Sequence, residues 1–201
     1  MFAVVESGSI TSMPRGNKGI TICDNQYPAS IFTLWSESER NAIGVYTVEI
    51  DETNKKDSEY YTNTNITYAF SGGKVKGTYG TAAARSLVDT DATDGEGNKL
   101  KDGDGNQIIN EGLKTIKKRL LDNQCKDLLE PSDWMVVRAT ETETTMDSGW
   151  KTWRASVRTK CNSMQTQIDN AADVDALAAL FTYTTTDGVT SRPLGEFPVK
   201  E

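Results

Sequence analysis

The spacing of apolar residues between positions 150 and 168 constrains the fold of this chain more than any other feature of its sequence. Apolar side chains recur there every three or four residues, with a mean spacing of 3.6, at Trp150, Trp153, Val157, Cys161, Met164 and Ile168. This is the period of an α-helix, so the pattern predicts an amphipathic helix of about five turns that buries one face. Asp147 or Ser148 is expected to cap its start.

Other helices are predicted on both sides of this one. Residues 111–129 carry a broad apolar face, interrupted by Lys117 and Gln124: Leu113, Ile116, Leu120, Leu121, Cys125 and Leu128. Pro131 is expected to end that helix. Residues 134–138 read as extended chain, and a short final helix is expected at residues 174–181 with Asp173 as its cap. The tail that contains Pro193 and Pro198 is predicted to be an extended arm.

The first 80 residues instead show the signals of strands and turns. Residues 2–5 and 10–12 flank a Ser-Gly turn, and residues 66–70 and 75–79 flank Ser71-Gly72-Gly73, which predicts two hairpins. Residues 45–50 alternate, with Tyr46, Val48 and Ile50 on one side, as in a half-buried strand. Together these patterns predict a small antiparallel sheet with one wet face.

Two shorter elements are expected between these strands. The apolar run at residues 31–35 reads as a short strand. Ser36 and Glu39 have the spacing of a capping box, which predicts one helical turn directly after it.

An acidic segment separates the two kinds of pattern. Residues 89–110 hold a repeat eight residues apart, Asp94-Gly95-Glu96-Gly97-Asn98 and Asp102-Gly103-Asp104-Gly105-Asn106. Asp-Gly and Gly-Asn favour tight turns, so stacked turns or a short hairpin are expected. The sequence therefore predicts an α+β chain: an antiparallel β module at 1–88, a linker at 89–110 and a helical docking module at 111–201.

The same repeat offers a weak calcium site. Asp102, Asp104 and Asn106 occupy the first three ligand positions of an EF-hand loop. The loop glycine is replaced by Gln107, and the final bidentate glutamate by Leu113, so an EF-hand is not predicted. No metal and no cofactor is expected.

Composition removes several classes of function. The chain has no histidine, so it lacks an imidazole base and any Ser-His or Cys-His pair, and no catalytic carboxylate pair is evident. Cys23, Cys125 and Cys161 show no zinc or disulfide spacing and suit a reducing cytosol. A net charge of −7 argues against nucleic-acid binding, and no stretch reaches the roughly 20 apolar residues of a membrane span. The first six residues are not expected to be a signal peptide. A non-enzyme is predicted.

Aromatic and arginine residues of the C-terminal half are the candidate binding residues. Trp134 follows the proline stop, and Trp150 and Trp153 lie on the long helix. A 100° step per residue places Arg154 and Arg158 as a basic ridge beside the two tryptophans. Tryptophan and arginine are enriched at interface hot spots, so these five residues are predicted to bind a partner. The alternative is that both helix tryptophans fill the core while the arginines extend outward.

The two tryptophan segments also carry a family resemblance. Leu129-Glu130-Pro131-Ser132-Asp133-Trp134, followed by Trp150-Lys151-Thr152-Trp153-Arg154-Ala155-Ser156-Val157-Arg158, resembles the C-terminal motif of tailed-bacteriophage tail assembly chaperone-like and fibre-associated proteins. That family often has Tyr at the position of Trp153, and the likeness covers residues 128–180. Residues 27–36 and 43–46 also resemble uncharacterised proteins of marine phages.

This resemblance implies a role in a phage particle. The leading expectation is a structural virion protein at the tail or tail fibres, made in the host cytoplasm, that binds other phage structural proteins of the tail, baseplate or fibre. A tail-fibre assembly chaperone that is not retained in the virion and a capsid decoration protein are the alternatives. Self-association is left open, and neither nucleic acid nor membrane is an expected partner.

Overall fold

A region rich in strands comes first and a region rich in helices second in the computed structural model, which describes residues 1–200. The α+β prediction is confirmed. The chain divides into two compact units, Met1–Ala83 and the remainder from Ala84. This boundary lies five residues before the end of the β module predicted at 1–88, and the segment 89–110, which we expected to be a separate linker, belongs to the second unit.

The first unit is built around one five-stranded sheet. Its elements are β1 (Phe2–Glu6), β2 (Ser9–Ser12), β3 (Ile20–Ile22), β4 (Asn25–Tyr27), α1 (Ile31–Leu34), α2 (Glu37–Ala42), β5 (Val45–Asp51), β6 (Tyr61–Thr62), β7 (Ile66–Ser71), β8 (Lys74–Tyr79) and the start of β9 (Ala83–Ala84). The sheet has the order β2-β1-β5-β8-β7. Both predicted hairpins, β1–β2 and β7–β8, are confirmed. Their turns contain Ser7-Gly8 and Gly72-Gly73, all four with positive φ, as a tight hairpin turn requires.

The sheet is mixed, not wholly antiparallel as we expected. β5 and β8 pair in parallel, with Val48 opposite Val75, whereas the other three pairings are antiparallel. β8 takes the inner position because its Val75 packs against Ala3 and Val48, while β7 has no fully buried residue to offer. Of the two strands in this hairpin, β7 is therefore the one at the edge of the sheet.

Both faces of β5 are covered at its start, which corrects the expectation of one wet face. Val45 packs with Val4, Ile31 and Phe32 on one side, and Val48 packs with Ala3 and Val75 on the other. Tyr46 joins the cluster of Val48, as the alternation predicted, but Ile50 is exposed.

The prediction of a strand at residues 31–35 is wrong, since Ile31–Leu34 form the helix α1. A short apolar run has no period that separates strand from helix. Here the amides of Ile31 and Phe32 donate to the carbonyls of Pro28 and Ala29, which starts a helical turn and buries both side chains. The capping box of α2 is confirmed: Ser36 and Glu39 each bind the other's backbone amide.

The second unit contains four helices and several short strands. Its elements are β10 (Thr90–Asp91), β11 (Ile109–Asn110), α3 (Leu113–Leu129), a 3-10 turn (Glu130–Ser132), α4 (Asp133–Glu141), α5 (Ser148–Asn170), α6 (Val174–Phe181), β12 (Thr184–Thr186) and β13 (Val189–Ser191). The helices predicted at 111–129, 150–168 and 174–181 are confirmed, with Asp147 and Asp173 capping α5 and α6.

Residues 90–110 fold into a closed arrangement that we name the acidic prism. Three residues eight positions apart form a ring of hydrogen bonds: Ala92 N–H donates to Ile108, Ile108 N–H to Leu100, and Leu100 N–H to Ala92, at 2.8–3.0 Å. The turns between them are closed by Asp94 and Asp102, whose Oδ1 atoms accept backbone N–H groups of Asn98 and Asn106. The predicted stacked turns are confirmed, and Ile108 completes the ring after the second turn.

α3 and α5 form an antiparallel pair that holds the core of the second unit. Lys118 Nζ lies 2.8 Å from Asp169 Oδ1 at one end, and Arg154 reaches the carbonyl of Leu129 at the other. The predicted stripe of α5 is largely confirmed, because Val157, Cys161, Met164 and Ile168 are all buried.

The apolar face that we predicted for α3 differs in two residues. Leu120 is exposed, and Lys117 is buried with its Nζ 4.4 Å from the centroid of the Phe181 ring. The long apolar stem of lysine allows it to occupy a core position beside an aromatic ring.

Two predictions for the C-terminal half are wrong. Residues 134–138 are not extended, because they belong to α4, which follows the 3-10 turn at Pro131 directly. The tail is not an extended arm, because β12 and β13 form a hairpin around Asp187-Gly188 and the Gly195 amide closes a second turn by donating to the Arg192 carbonyl. The last part of the tail packs inward, with Leu194 buried and its carbonyl accepting a hydrogen bond from Lys160.

Candidate docking surface

The helix α4 is held in place by its first turn. Pro131 lies in the 3-10 turn before it, and Ser132, fully buried, donates a hydrogen bond to the carbonyl of Leu129 at 2.8 Å. No residue of α4 itself is buried. The helix is therefore fixed at one end and presents its side chains along most of its surface.

Arg154 fixes that end from α5. Its guanidinium donates to the Leu129 carbonyl at 2.7 Å, to Ser132 Oγ and to Asp133 Oδ1 at 2.6 Å. The side chain is only 6% exposed. We predicted Arg154 as part of a basic ridge beside the tryptophans, and this is wrong, because its donors bind the end of α3 and the start of α4.

The exposed face of α4 is apolar. Trp134 is 54% exposed and Val137, one turn later, is 55% exposed. We name these two residues the α4 face. Large apolar side chains with this exposure and this helical spacing are typical of a surface that a partner covers.

A groove of about 350 Å³ lies beside the α4 face and is named the tryptophan groove. Trp134, Met135 and Arg138 line one side, and Met146 and Trp150 line the other. Trp134 and Trp150, predicted from sequence as binding residues, are thus brought together at one groove.

Trp153 lies elsewhere and has a partner within the chain. Its indole N–H donates to the carbonyl of Pro198 at 2.9 Å, and its ring meets Trp150 edge to face with centroids 5.6 Å apart. Lys200 Nζ lies 5.3 Å from the centroid of the Trp150 ring. These contacts hold the tail against α5, so Trp153 serves packing within the unit.

Arg158 lines a second groove of about 330 Å³, which we name the basic groove. It is lined by Val136, Thr145, Met146, Lys151, Arg154 and Arg158. No carboxylate is among these residues. The side chains of Lys151 and Arg158 make no ion pair or hydrogen bond within the part of the chain that the structure describes.

The residues of the weak calcium site are part of the acidic prism. Asp102 Oδ1 accepts the amides of Asp104 and Asn106, at 3.0 and 2.9 Å, and Oδ2 accepts the Asn106 side chain. These hydrogen bonds, those from Asn106 first, hold the pKa of Asp102 below its ordinary value. Among residues 1–200, no cluster of three or more carboxylates or thiols is arranged to hold a metal ion.

The buried thiol of α5 is poorly suited to chemistry. Burial raises the pKa of Cys161 to about 11, with a further rise from the neighbouring Cys125 thiol and Asp122. Very little thiolate is present at neutral pH, so Cys161 is an inert core residue.

Sequence reasoning missed Val136, Val137, Met135 and Met146 as surface residues. The signal was present, since Trp134 and Val137 are three residues apart and Arg138 follows at four, which is helical spacing. We predicted extended chain at residues 134–138 and treated Pro131 only as the end of the preceding helix. Proline is tolerated in a first helical turn, and this is where the structure places it.

The described residues contain no helix that is both long and apolar enough to cross a membrane. Comparison of the chain with protein-family models, with curated proteins and with solved structures gave no match.

Proposed function

We propose that this chain is a structural protein of a tailed-bacteriophage particle, placed at the tail or tail fibres, that binds other virion proteins through the α4 face and the tryptophan groove. The resemblance of residues 128–180 to phage tail proteins supports the proposed location at the tail or tail fibres. The proposal for the binding surface comes from the geometry of α4. The proposed function includes no catalytic role, cofactor or metal.

One observation carries the binding surface. α4 has no buried residue and leaves Trp134 and Val137 more than half exposed, yet its start is held by three hydrogen bonds from Arg154. A rigid helix that exposes apolar side chains loses little entropy when a partner covers it. Burying each exposed apolar side chain contributes about 1–2 kcal/mol to such an association.

The set of binding residues therefore differs from the five predicted from sequence. Trp134 and Trp150 remain, joined by Val137, Met135 and Met146. Arg154 becomes a positioning residue for α4, and Trp153 holds the tail. Arg158 belongs to the basic groove.

The experiment that tests the role is quantitative mass spectrometry of purified particles of the phage that encodes the chain. A structural protein is expected at a fixed ratio to the tail proteins, in whole particles and in isolated tails. Absence from particles, with presence in infected cells, would favour the tail-fibre assembly chaperone. Presence on tail-less capsids alone would favour the capsid decoration protein.

A further inference from the structure

We propose that the second unit associates with further copies of itself, with the acidic prism of one copy bound in the basic groove of the next. The inference uses the basic groove, which shares Thr145 and Met146 with the tryptophan groove but contains neither residue of the α4 face, and it does not depend on the proposed function. Three observations carry it: the free cations of the groove, the acidic and apolar surface of the prism, and the presence of both on one chain.

The basic groove has no carboxylate among its lining residues, whereas other cations of the paired helices have one. Lys118 and Arg154, also on the paired helices α3 and α5, are bound to Asp169 and Asp133. Lys151 and Arg158 have no such partner among residues 1–200. They lie seven residues apart on α5, about 10 Å along the helix and on one side of it. Val136 and Met146 supply apolar surface beside them.

The acidic prism has the complementary properties. Residues 90–110 carry five carboxylates and two lysines, a net charge of −3. Glu96 and Asp104 occupy equivalent positions in its two Asp-Gly turns, eight residues apart. Leu100 and Ile108, also eight residues apart, are 41% and 42% exposed. The prism therefore presents carboxylates and apolar side chains together.

The two surfaces carry opposite charges, and both expose apolar side chains. This complementarity favours a second copy as the occupant. Carboxylates set against Lys151 and Arg158 would form charge-assisted hydrogen bonds, and the prism's leucine and isoleucine would cover Val136 and Met146. A nucleic-acid backbone is disfavoured, because a chain of net charge −7 offers only these two unpaired cations at the groove. The contact joins two different patches, so it generates a ring or an open row of copies, and not a symmetric dimer.

The test is a charge-reversal pair studied by light scattering after size exclusion. The wild-type chain at about 100 μM is expected to elute above the monomer mass at low salt and to dissociate as salt screens the contact. Lys151→Glu with Arg158→Glu, and separately Glu96→Lys with Asp104→Lys, should each give a monomer. In an equimolar mixture the reversed groove of one variant faces the reversed prism of the other, so association should return.

The matched control is Arg15→Glu with Lys18→Glu, two exposed cations of the first unit, which should leave the mass of the wild-type complex unchanged. Thermal melting verifies that each variant is folded. The inference would be overturned if the wild-type chain were a monomer at low salt as well as at high salt. It would also be overturned if neither charge-reversal variant dissociated the complex, or if the equimolar mixture of the two variants stayed monomeric. A wild-type monomer that is still incorporated into particles would overturn only this inference and leave the proposed function standing.

Discussion

The guanidinium of Arg154 on α5 forms a 2.6 Å ion pair with Asp133, the first residue of α4. Arg154 also binds the carbonyl that ends α3, so one side chain joins three helices of the second unit. The direction in which α4 presents Trp134 follows from this contact.

Loss of the Arg154 side chain should therefore destabilise the second unit. Arg154→Ala leaves the buried Ser132 hydroxyl without its donor, removes one of the two hydrogen bonds to the Leu129 carbonyl and breaks the ion pair with Asp133. We expect a loss of about 2–4 kcal/mol in the free energy of unfolding. Urea unfolding followed by far-ultraviolet circular dichroism measures it. Arg158→Ala is the control and should change stability by less than about 0.5 kcal/mol, because that side chain is exposed. Equal losses in both variants would contradict the role given to Arg154.

The contact between Trp153 and Pro198 should anchor the tail. Trp153→Phe removes the indole N–H and should cost about 0.5–1.5 kcal/mol, with faster hydrogen exchange at the tail amides of Leu194 and Gly195, which donate to the carbonyls of Leu180 and Arg192. Trp134→Phe serves as the control, because the Trp134 indole N–H makes no hydrogen bond among residues 1–200. If the tail amides exchange at the same rate in both variants, this anchor does not hold the tail.

Gly44 should be the least replaceable glycine of the first unit. Its φ is +82°, and a Cβ at this position would lie 2.6 Å from the carbonyl oxygen of Val5. Gly44→Ala is expected to cost about 2–4 kcal/mol, as backbone strain and a clash with β1 combine. Gly72→Ala, with φ +59° and open space around it, should cost only about 1 kcal/mol. Hydrogen exchange at the amides of β1 and β5 measures the loss of stability in each variant. Similar losses in the two variants would contradict the close approach of Gly44 to the Val5 carbonyl.

Cys161 should resist alkylation in the folded chain. Because burial raises its pKa to about 11, only about one thiol in a thousand is ionised at pH 8, and the thiolate is the reacting form. Its rate with iodoacetamide should rise about tenfold for each pH unit up to about pH 11. Peptide mapping by mass spectrometry measures the rate, and urea should remove the protection. A folded-state rate equal to that in urea would show that Cys161 is not buried.

The helices and hairpins were predictable because each carries a local signal. The 3.6-residue period of α5, the capping box at Ser36 and Glu39, and the Gly72-Gly73 turn all depend on residues close in sequence. The Asp187-Gly188 turn was equally legible and could have revealed the β12–β13 hairpin.

What could not be predicted depends on distant residues. The parallel pairing of β5 with β8 is decided by Val75 packing on Val48 and Ala3. The inward direction of Arg154 depends on a carbonyl and a hydroxyl more than 20 residues away. A 100° step places Arg154 near the apolar stripe, but it does not tell whether a neighbouring helix end supplies acceptors there.

The most direct test of the α4 face is the amount of a Trp134→Ala, Val137→Ser variant in purified phage particles, measured by quantitative mass spectrometry relative to the major capsid protein. Leu34→Ser, which removes an exposed apolar side chain from the first unit, is the matched control. Both variants should melt within a few degrees of the wild-type chain, because the substituted side chains are largely exposed. We predict at least a tenfold lower amount for the α4 variant and a wild-type amount for the control. A wild-type amount of the folded α4 variant would contradict docking through α4.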